Sequence, residues 1–337
     1  MGSKLLKFAG TVLVLLIFIS AAAVAYFFLF LPASRPAPDI EIVVTAATIE
    51  RGRYLSENVI MCNGCHSERD WNYYGGPVKP PVGGGRACMT RDKSVPGVRL
   101  VGNGEFPGVL CMRNITPDTE TGIGAWTDGE IIRSIREGVN RDGEGLFPIM
   151  PYFIFRDLSD ADTEAIVAYM RSLDPVRETK AERTIDFPLN ILVQVLPEPL
   201  EGAVPDVDRN DTVAYGKYLA TIGRCQFCHT PREGRGNEGI SGKDFAGGVP
   251  FGFGDQLLYS SNLTFHETGL AGWSRTDFID RFKRESQRRL AEGDNTLMDW
   301  NAYSGMSAED LGAIYDYLQT LPPVAFEPQP SSLDSLR

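Results

Sequence analysis

The sequence predicts an all-α chain: one long apolar helix at the N-terminus, then two copies of a small helical unit. Three observations carry that reading. An apolar run extends from Phe8 to Leu31. The rest of the chain matches itself at an offset of about 148 residues. Within each copy, apolar residues recur at i, i+3, i+4 and i+7, the spacing of one helix face.

The apolar run comes first in the chain. Its 24 residues make a helix about 36 Å long, enough to cross the hydrocarbon of a bilayer. Ser20 to Ala25 offers small residues for a signal peptidase, but the run continues through Tyr26 to Leu31 before Pro32. That is longer than the core of a secretory signal. An uncleaved anchor is therefore expected over residues 1–37. Lys4 and Lys7 precede the run and no acidic residue lies within those 37, so the N-terminus is expected in the cytoplasm and the remainder outside it. The net charge of −11 becomes −14 once residues 1–37 are set aside. This acidity argues against nucleic acid or an anionic membrane surface as partner, and suits docking to a basic patch on another protein.

Each copy then unfolds in the same order. An opening helix is expected from about Ala46 to Asn58, and its counterpart from Thr212 to Ile222. Both contain a helix-interior glycine, Gly52 in Gly52-Arg-Tyr54-Leu55 and Gly216 in Gly216-Lys-Tyr218-Leu219. Glycine there costs about 1 kcal/mol against alanine, which a close helix crossing would explain. Asn114-Ile-Thr116 matches Asn262-Leu-Thr264, and Thr121 to Trp126 matches Thr268 to Trp273. A middle helix starts at Thr127-x-x-Glu130 or Ser274-x-x-Asp277, both capping patterns. The closing helix starts at Ser159 or Ser307. Its stripe is Ile166, Tyr169, Met170, Leu173, or Ile314, Tyr317, Leu318, Leu321, and proline ends it at Pro175 or Pro323.

Cys62-Asn-Gly-Cys65-His66 follows the first opening helix and Cys225-Gln-Phe-Cys228-His229 the second. Cys-x-x-Cys-His is the attachment signal for haem c: the thiols form thioethers and the histidine supplies a proximal nitrogen to iron. Zinc would need two further ligands for each pair, and the only other histidine is His266. A redox dithiol belongs in a βαβ context, which these Gly- and Pro-rich surroundings do not resemble. Two covalently bound haems c are expected. Of six cysteines, Cys88 and Cys111 remain, and an oxidising compartment favours a disulfide between them. They lie in the longer of the two excursions, 48 residues from His66 to Asn114 against 33 from His229 to Asn262.

A second axial ligand is sought among methionines, which raise the reduction potential. Phe147-Pro-Ile-Met150-Pro-Tyr152 sets Met150 in a proline-fixed turn before the closing helix. Met298 stands 148 residues later, with Asp299 in place of Pro151. Met306 aligns with Leu158 and reads as core, and His266 reads as a solvated loop histidine. The indoles of Trp126 and Trp273 suit either a propionate contact or a core position. The expected axial pairs are His66 with Met150 and His229 with Met298.

These strings resemble the multihaem class I cytochrome c family, and most of all the cytochrome c subunits of membrane-bound alcohol, aldehyde and gluconate dehydrogenases. The residues that carry the resemblance are Asn114 to Asp118, Thr121 to Gly124 with Trp126 to Asp128, and Leu146 to Tyr152. It covers nearly all of residues 46–326. It implies one haem with His and Met ligands in each domain, and passage of electrons from a dehydrogenase towards quinone or an oxidase. Such subunits commonly carry three haems, where this sequence has two motifs.

The expected layout is an anchor (1–37), a cytochrome c domain (38–176), a packed connector (177–210), a second cytochrome c domain (211–326) and a tail (327–337). The expected function is that of a membrane-anchored dihaem electron carrier without a catalytic site of its own. It would face the periplasm and relay electrons between a dehydrogenase or quinol-oxidising complex and an acceptor such as a terminal oxidase. The alternative is a dihaem enzyme of peroxidase or thiosulfate dehydrogenase type, with one labile axial ligand.

Overall fold

The apolar run folds as one helix, α1 (Gly2–Phe30), because nothing in it interrupts backbone hydrogen bonding and its side chains need no internal partner in lipid. Its stretch Leu6–Phe27 is long and apolar enough to cross a membrane, and none of it is buried against the rest of the chain. The computed structural model describes residues 2–90, 106–179, 182–233, 238–253, 256–285, 296 and 298–326. The tail expected at 327–337 lies outside the described residues.

After a tether over residues 31–45, helices follow in a repeating order. The first series is α2 (Ala46–Tyr54), α3 (Cys62–Cys65), α4 (Asp128–Glu137), α5 (Tyr152–Phe155) and α6 (Asp160–Ser172). A short α7 (Leu189–Leu192) lies in the connector. The second series is α8 (Thr212–Ile222), α9 (Cys225–His229), α10 (Arg275–Glu285), α11 (Trp300–Tyr303) and α12 (Ala308–Gln319). The caps follow the sequence signals. Thr127 and Glu130 form a reciprocal capping box at α4, and the Ser159 and Ser307 side chains accept the N–H groups of Asp162 and Asp310. A π-helical turn over Leu55–Val59 extends α2 towards the first motif.

In each half the opening helix crosses the closing helix at its glycine. A Cβ on Gly52 would fall within van der Waals distance of the Ala165 carbonyl oxygen on α6. One on Gly216 would meet the Ala313 carbonyl oxygen on α12 in the same way. The helix-interior glycines are thus explained by backbone-to-backbone approach, as expected from sequence. Asn114 and Asn262 then clamp the chain after each closing helix. The Asn114 Nδ2 donates to the Val176 carbonyl at 2.6 Å, and that of Asn262 to the Val324 carbonyl at 2.8 Å. The Val176 and Val324 N–H groups donate to Thr116 and Thr264 hydroxyls at 3.0 and 3.1 Å. The repeated Asn-x-Thr string is therefore a structural tie.

The two halves are joined by a reciprocal pair of bonds. Tyr54 on α2 donates to Asp310 on α12 at 2.6 Å, and Tyr218 on α8 donates to Asp162 on α6 at 2.7 Å. Each hydroxyl also accepts a backbone N–H, from Ser307 and Ser159 respectively. Tyr54 and Tyr218 are repeat-equivalent, as are Asp162 and Asp310, so the contact is isologous within one chain. Burial and the neighbouring carboxylate push both phenols well above their ordinary pKa. The symmetry is broken at one place. Asp162 is also held by Arg51 through two bonds of 2.8 Å, whereas Tyr215 stands at the position equivalent to Arg51.

The expectation of an all-α chain needs correction: the fold is helix-rich but contains short antiparallel strands. Strands β1 (Cys88–Thr90), β2 (Gly108–Cys111) and β3 (Arg183–Ile185) form a sheet in that order. In the second half β4 (Arg232–Glu233) pairs with β5 (Glu238–Gly239), and β6 (Pro250–Phe253) with β7 (Gln256–Tyr259). All but β3, which comes from the connector, arise in the Gly-rich excursions, where no helical stripe exists and backbone groups must pair across strands. A disulfide joins Cys88 to Cys111 at a paired position of β1 and β2. Met89, Phe106 and Leu110 form a satellite core there, packed against Phe147 and Ile149 beside Met150.

The connector packs less fully than its composition suggests. Val193 is buried and the Gln194 side chain accepts the Gly145 N–H, but Phe187 is 77% exposed. At the other end, the tether lies along α4: the Arg133 guanidinium donates to the Arg35 carbonyl and the Ile42 N–H to the Asp128 carboxylate.

Two outcomes follow for stability, read as urea unfolding of the haem-loaded protein. Gly216→Ala is expected to destabilise by about 1–3 kcal/mol, because α8 and α12 must separate. Tyr54→Phe is expected to cost about 1.5–3 kcal/mol and more than Tyr218→Phe, since Asp162 keeps Arg51 while Asp310 loses its side-chain partner.

Candidate functional site

Both Cys-x-x-Cys turns begin at a residue in the left-handed region, Met61 at φ 58° and Arg224 at φ 63°. That kink turns the chain out of the opening helix and into a single helical turn. Cysteines three apart on such a turn share one face, which two thioethers to one macrocycle require. The first motif is tied to the closing helix by the Asn63 side chain, which donates to Tyr169 at 2.9 Å.

The histidines are held identically. His66 Nδ1 lies 2.7 Å from the Arg113 carbonyl oxygen, and His229 Nδ1 lies 2.7 Å from that of Ser261. A carbonyl only accepts, so Nδ1 carries the proton and Nε2 keeps its lone pair. Burial lowers both imidazole pKa values, which keeps the rings neutral. This is the arrangement by which a second partner orients a metal-binding imidazole. Matching backbone ties close each loop: the Gly85 N–H donates to the His66 carbonyl and the Gly247 N–H to the His229 carbonyl, both at 2.7 Å. Gly85 and Gly247 have φ of +83° and +75°, and a Cβ on either would meet neighbouring backbone.

Three of the four thiols lack the depressed pKa of a nucleophilic cysteine. Burial pushes Cys62 and Cys225 up to about 12 and raises Cys228, opposite to the lowering that makes a nucleophilic thiolate. Among the described residues, no group of three or more His, Cys, Asp and Glu is placed to hold a metal ion.

Cys62, Cys65, His66 and Met150 all line one cavity of about 1030 Å³. Ile131, Ile135, Phe155 and Met170 supply apolar walls, and β1 and β2 close one side through Cys88, Leu110 and Cys111. The size and apolar lining fit a macrocycle with His and Met on offer to its iron. Trp126 lines the cavity too, and its carbonyl accepts from Arg171 at 2.6 Å. Cys225, His229 and Met298 stand outside this cavity, yet Cys228 reaches it together with Arg224, Phe251 and Asp299.

The two methionine turns have the same backbone. The Tyr152 N–H donates to the Met150 carbonyl at 2.8 Å, and that of Trp300 to the Met298 carbonyl at 2.7 Å. Pro151 has φ −82° and ψ 52°, and Asp299 φ −76° and ψ 57°. Both methionines are partly buried against the main core. Met306 is buried at 2% like its equivalent Leu158, and so is a core residue. His266 Nδ1 accepts the Thr268 N–H at 3.2 Å, a local loop contact.

Sequence reasoning missed Arg224. Its Nε is enclosed without a partner, and its charge acts on Tyr303, Cys65, Asp299 and Cys228. The equivalent residue, Met61, is apolar and buried. The two motifs thus begin in different electrostatic surroundings. A cation directly before a Cys-x-x-Cys motif was the available signal, but an arginine is ordinarily solvated.

No family model matches the chain. Its homologues include cytochrome c subunits of dehydrogenases. It is 30% identical to the cytochrome c subunit of a quinone-dependent alcohol dehydrogenase from Gluconobacter oxydans, over 82% of this chain and 55% of that one. It is 28% identical to the corresponding subunit from Gluconacetobacter polyoxogenes, over 91% of this chain and 62% of that one. It is 34% identical to a nicotinate dehydrogenase subunit from Pseudomonas putida, over 52% of this chain and 15% of that one. Cytochrome subunits of gluconate and fructose dehydrogenases and a diheme cytochrome c are also homologous. The chain spans about three-fifths of the length of the alcohol dehydrogenase subunits it matches.

Proposed function

We propose that this chain is a membrane-anchored dihaem cytochrome c that passes single electrons from a periplasmic dehydrogenase or quinol-oxidising complex to an acceptor such as a terminal oxidase. Two tandem class I cytochrome c domains, 38–176 and 211–326, flank the connector 177–210. One observation carries the reading. Two Cys-x-x-Cys-His turns each present a neutral histidine with Nδ1 tied to a carbonyl, and each half adds a methionine turn of the same backbone geometry.

When bound, haem c supplies one-electron cycling between Fe(III) and Fe(II). The chain's residues do the rest. Cys62, Cys65, Cys225 and Cys228 would hold the macrocycles covalently. His66 with Met150, and His229 with Met298, would offer nitrogen and sulfur to the iron, and the Asn-x-Thr clamps and helix crossings hold the framework that carries them. Apolar walls from Ile131, Ile135, Phe155 and Met170 would face the macrocycle in the first site. The relatives' names associate such subunits with dehydrogenases, which supports a dehydrogenase as electron donor. The anchor suits the inner membrane, N-terminus in the cytoplasm and haem domains in the periplasm, where it keeps the haems close to membrane partners. The acidic surface suits a basic docking patch on them.

A thiosulfate dehydrogenase type would draft Cys88 or Cys111 as ligand, but these two are bonded to each other. A peroxidase type needs an open sixth position.

Intact-mass measurement tests the attachment: Cys62→Ser/Cys65→Ser and Cys225→Ser/Cys228→Ser are each expected to lose one of two haems. Low-temperature EPR of the oxidised protein, with the near-infrared Met–Fe(III) band, tests the ligands. Two low-spin signals are expected, one lost in Met150→Ala and the other in Met298→Ala. A high-spin or thiolate-ligated population in the unmutated protein would overturn the carrier reading in favour of an enzyme.

A further inference from the structure

The turn that carries Met298 is held by the other half of the chain. In the first half, Pro151 follows Met150, and its ring fixes φ covalently. In the second half Asp299 adopts nearly the same dihedrals with no ring to impose them. The restraint comes from Arg69, three residues after His66. Arg69 Nη2 donates to Asp299 Oδ1 at 2.6 Å, with the two side chains only 19% and 23% exposed. Arg69 is itself pinned: Nε donates to the Gly76 carbonyl at 2.6 Å, Nη2 also reaches the Gly75 carbonyl, and the guanidinium lies 4.5 Å over the Trp71 ring. Asn301, in the same turn, adds a bond from Nδ2 to the Tyr74 carbonyl at 2.6 Å. The loop after the first motif thus grips the Met298 turn at two points.

The converse ion pair cannot form. Arg232 stands three residues after His229, as Arg69 does after His66, but the residue equivalent to Asp299 is Pro151, whose side chain accepts nothing. Arg232 lies instead 4.4 Å over the Phe227 ring and donates from Nε to the Phe227 carbonyl at 3.3 Å. One methionine turn is therefore braced by proline and the other by an ion pair between the halves.

We propose that Arg69 is the positioning residue for Met298, so that axial ligation in the second half depends on contact with the first. This rests on the reading of Met298 as an axial ligand. Met150 sits in a turn fixed by its own proline, while the Met298 turn takes its main restraint from the Arg69–Asp299 pair, with the Asn301–Tyr74 bond beside it.

The test uses the full-length, haem-loaded protein in detergent. Its readouts are the near-infrared Met–Fe(III) band and the rate at which imidazole displaces the sixth ligand of the ferric haems. Arg69→Leu is expected to speed displacement roughly tenfold at one haem and leave the other unchanged. Asp299→Asn, which keeps the side-chain shape, is expected to act in the same direction and serves if Arg69→Leu fails to load haem. Arg69→Leu/Asp299→Pro is expected to return to the unmutated rate, because the ring replaces the ion pair; a general packing defect would not be restored this way. Unchanged imidazole kinetics in Arg69→Leu and Asp299→Asn, with one band still lost in Met298→Ala, would overturn the positioning role alone. Both bands surviving in Met298→Ala would overturn the ligand reading, and the positioning role with it.

Discussion

Backbone meets backbone where α2 crosses α6, at Gly52 and Ala165, and again where α8 crosses α12, at Gly216 and Ala313. These two glycine crossings govern the geometry of everything built around them. The opening helix ends at the Cys-x-x-Cys turn and the closing helix begins just after the methionine turn. The cost of glycine in two helix interiors is offset by the close approach of opening and closing helices that it permits.

The same helices also join the halves. Tyr54 and Tyr218 lie two residues beyond the crossing glycines, and each reaches the carboxylate that starts the other half's closing helix. One pair of helices thus sets both the interior of its own half and the contact between halves. Placing the tyrosine and the carboxylate in each repeat makes the contact self-complementary, as in a twofold dimer, with the connector making association intramolecular.

Within this near-symmetric frame the halves differ where it matters for redox chemistry. Arg224 replaces Met61 before the motif, Asp299 replaces Pro151 after the methionine, and Tyr215 replaces Arg51 beside the shared carboxylate. The first two changes meet in space, since Arg224, Asp299 and Cys228 all reach the cavity lined by the first motif. A partly buried cation and a partly buried ion pair lie beside the two Cys-x-x-Cys turns, and Arg224 and Asp299 stand where the repeat would place Met and Pro. The halves are copies in backbone and distinct in electrostatics.

Local sequence was enough to specify the repeat, the longer helices and their caps, and the place of the two Cys-x-x-Cys turns and the Met150 turn. A capping box, a 3.6-residue stripe or a Cys-x-x-Cys-His turn needs only a few neighbouring residues to define it. Gly52 and Gly216 could be read as a crossing because glycine at a helix interior has few other reasons to be there. The strands β1 to β3 were not legible, because β3 comes from the connector and its pairing joins residues some 75 positions apart. Nor were the roles of Tyr54, Arg69 and Arg224. A tyrosine or arginine on a helix or loop reads as surface until tertiary structure sets a carboxylate or a second attachment motif opposite it. Hydrogen bonds and charge contacts between distant residues depend on where whole helices lie, and that is decided only when the cores pack.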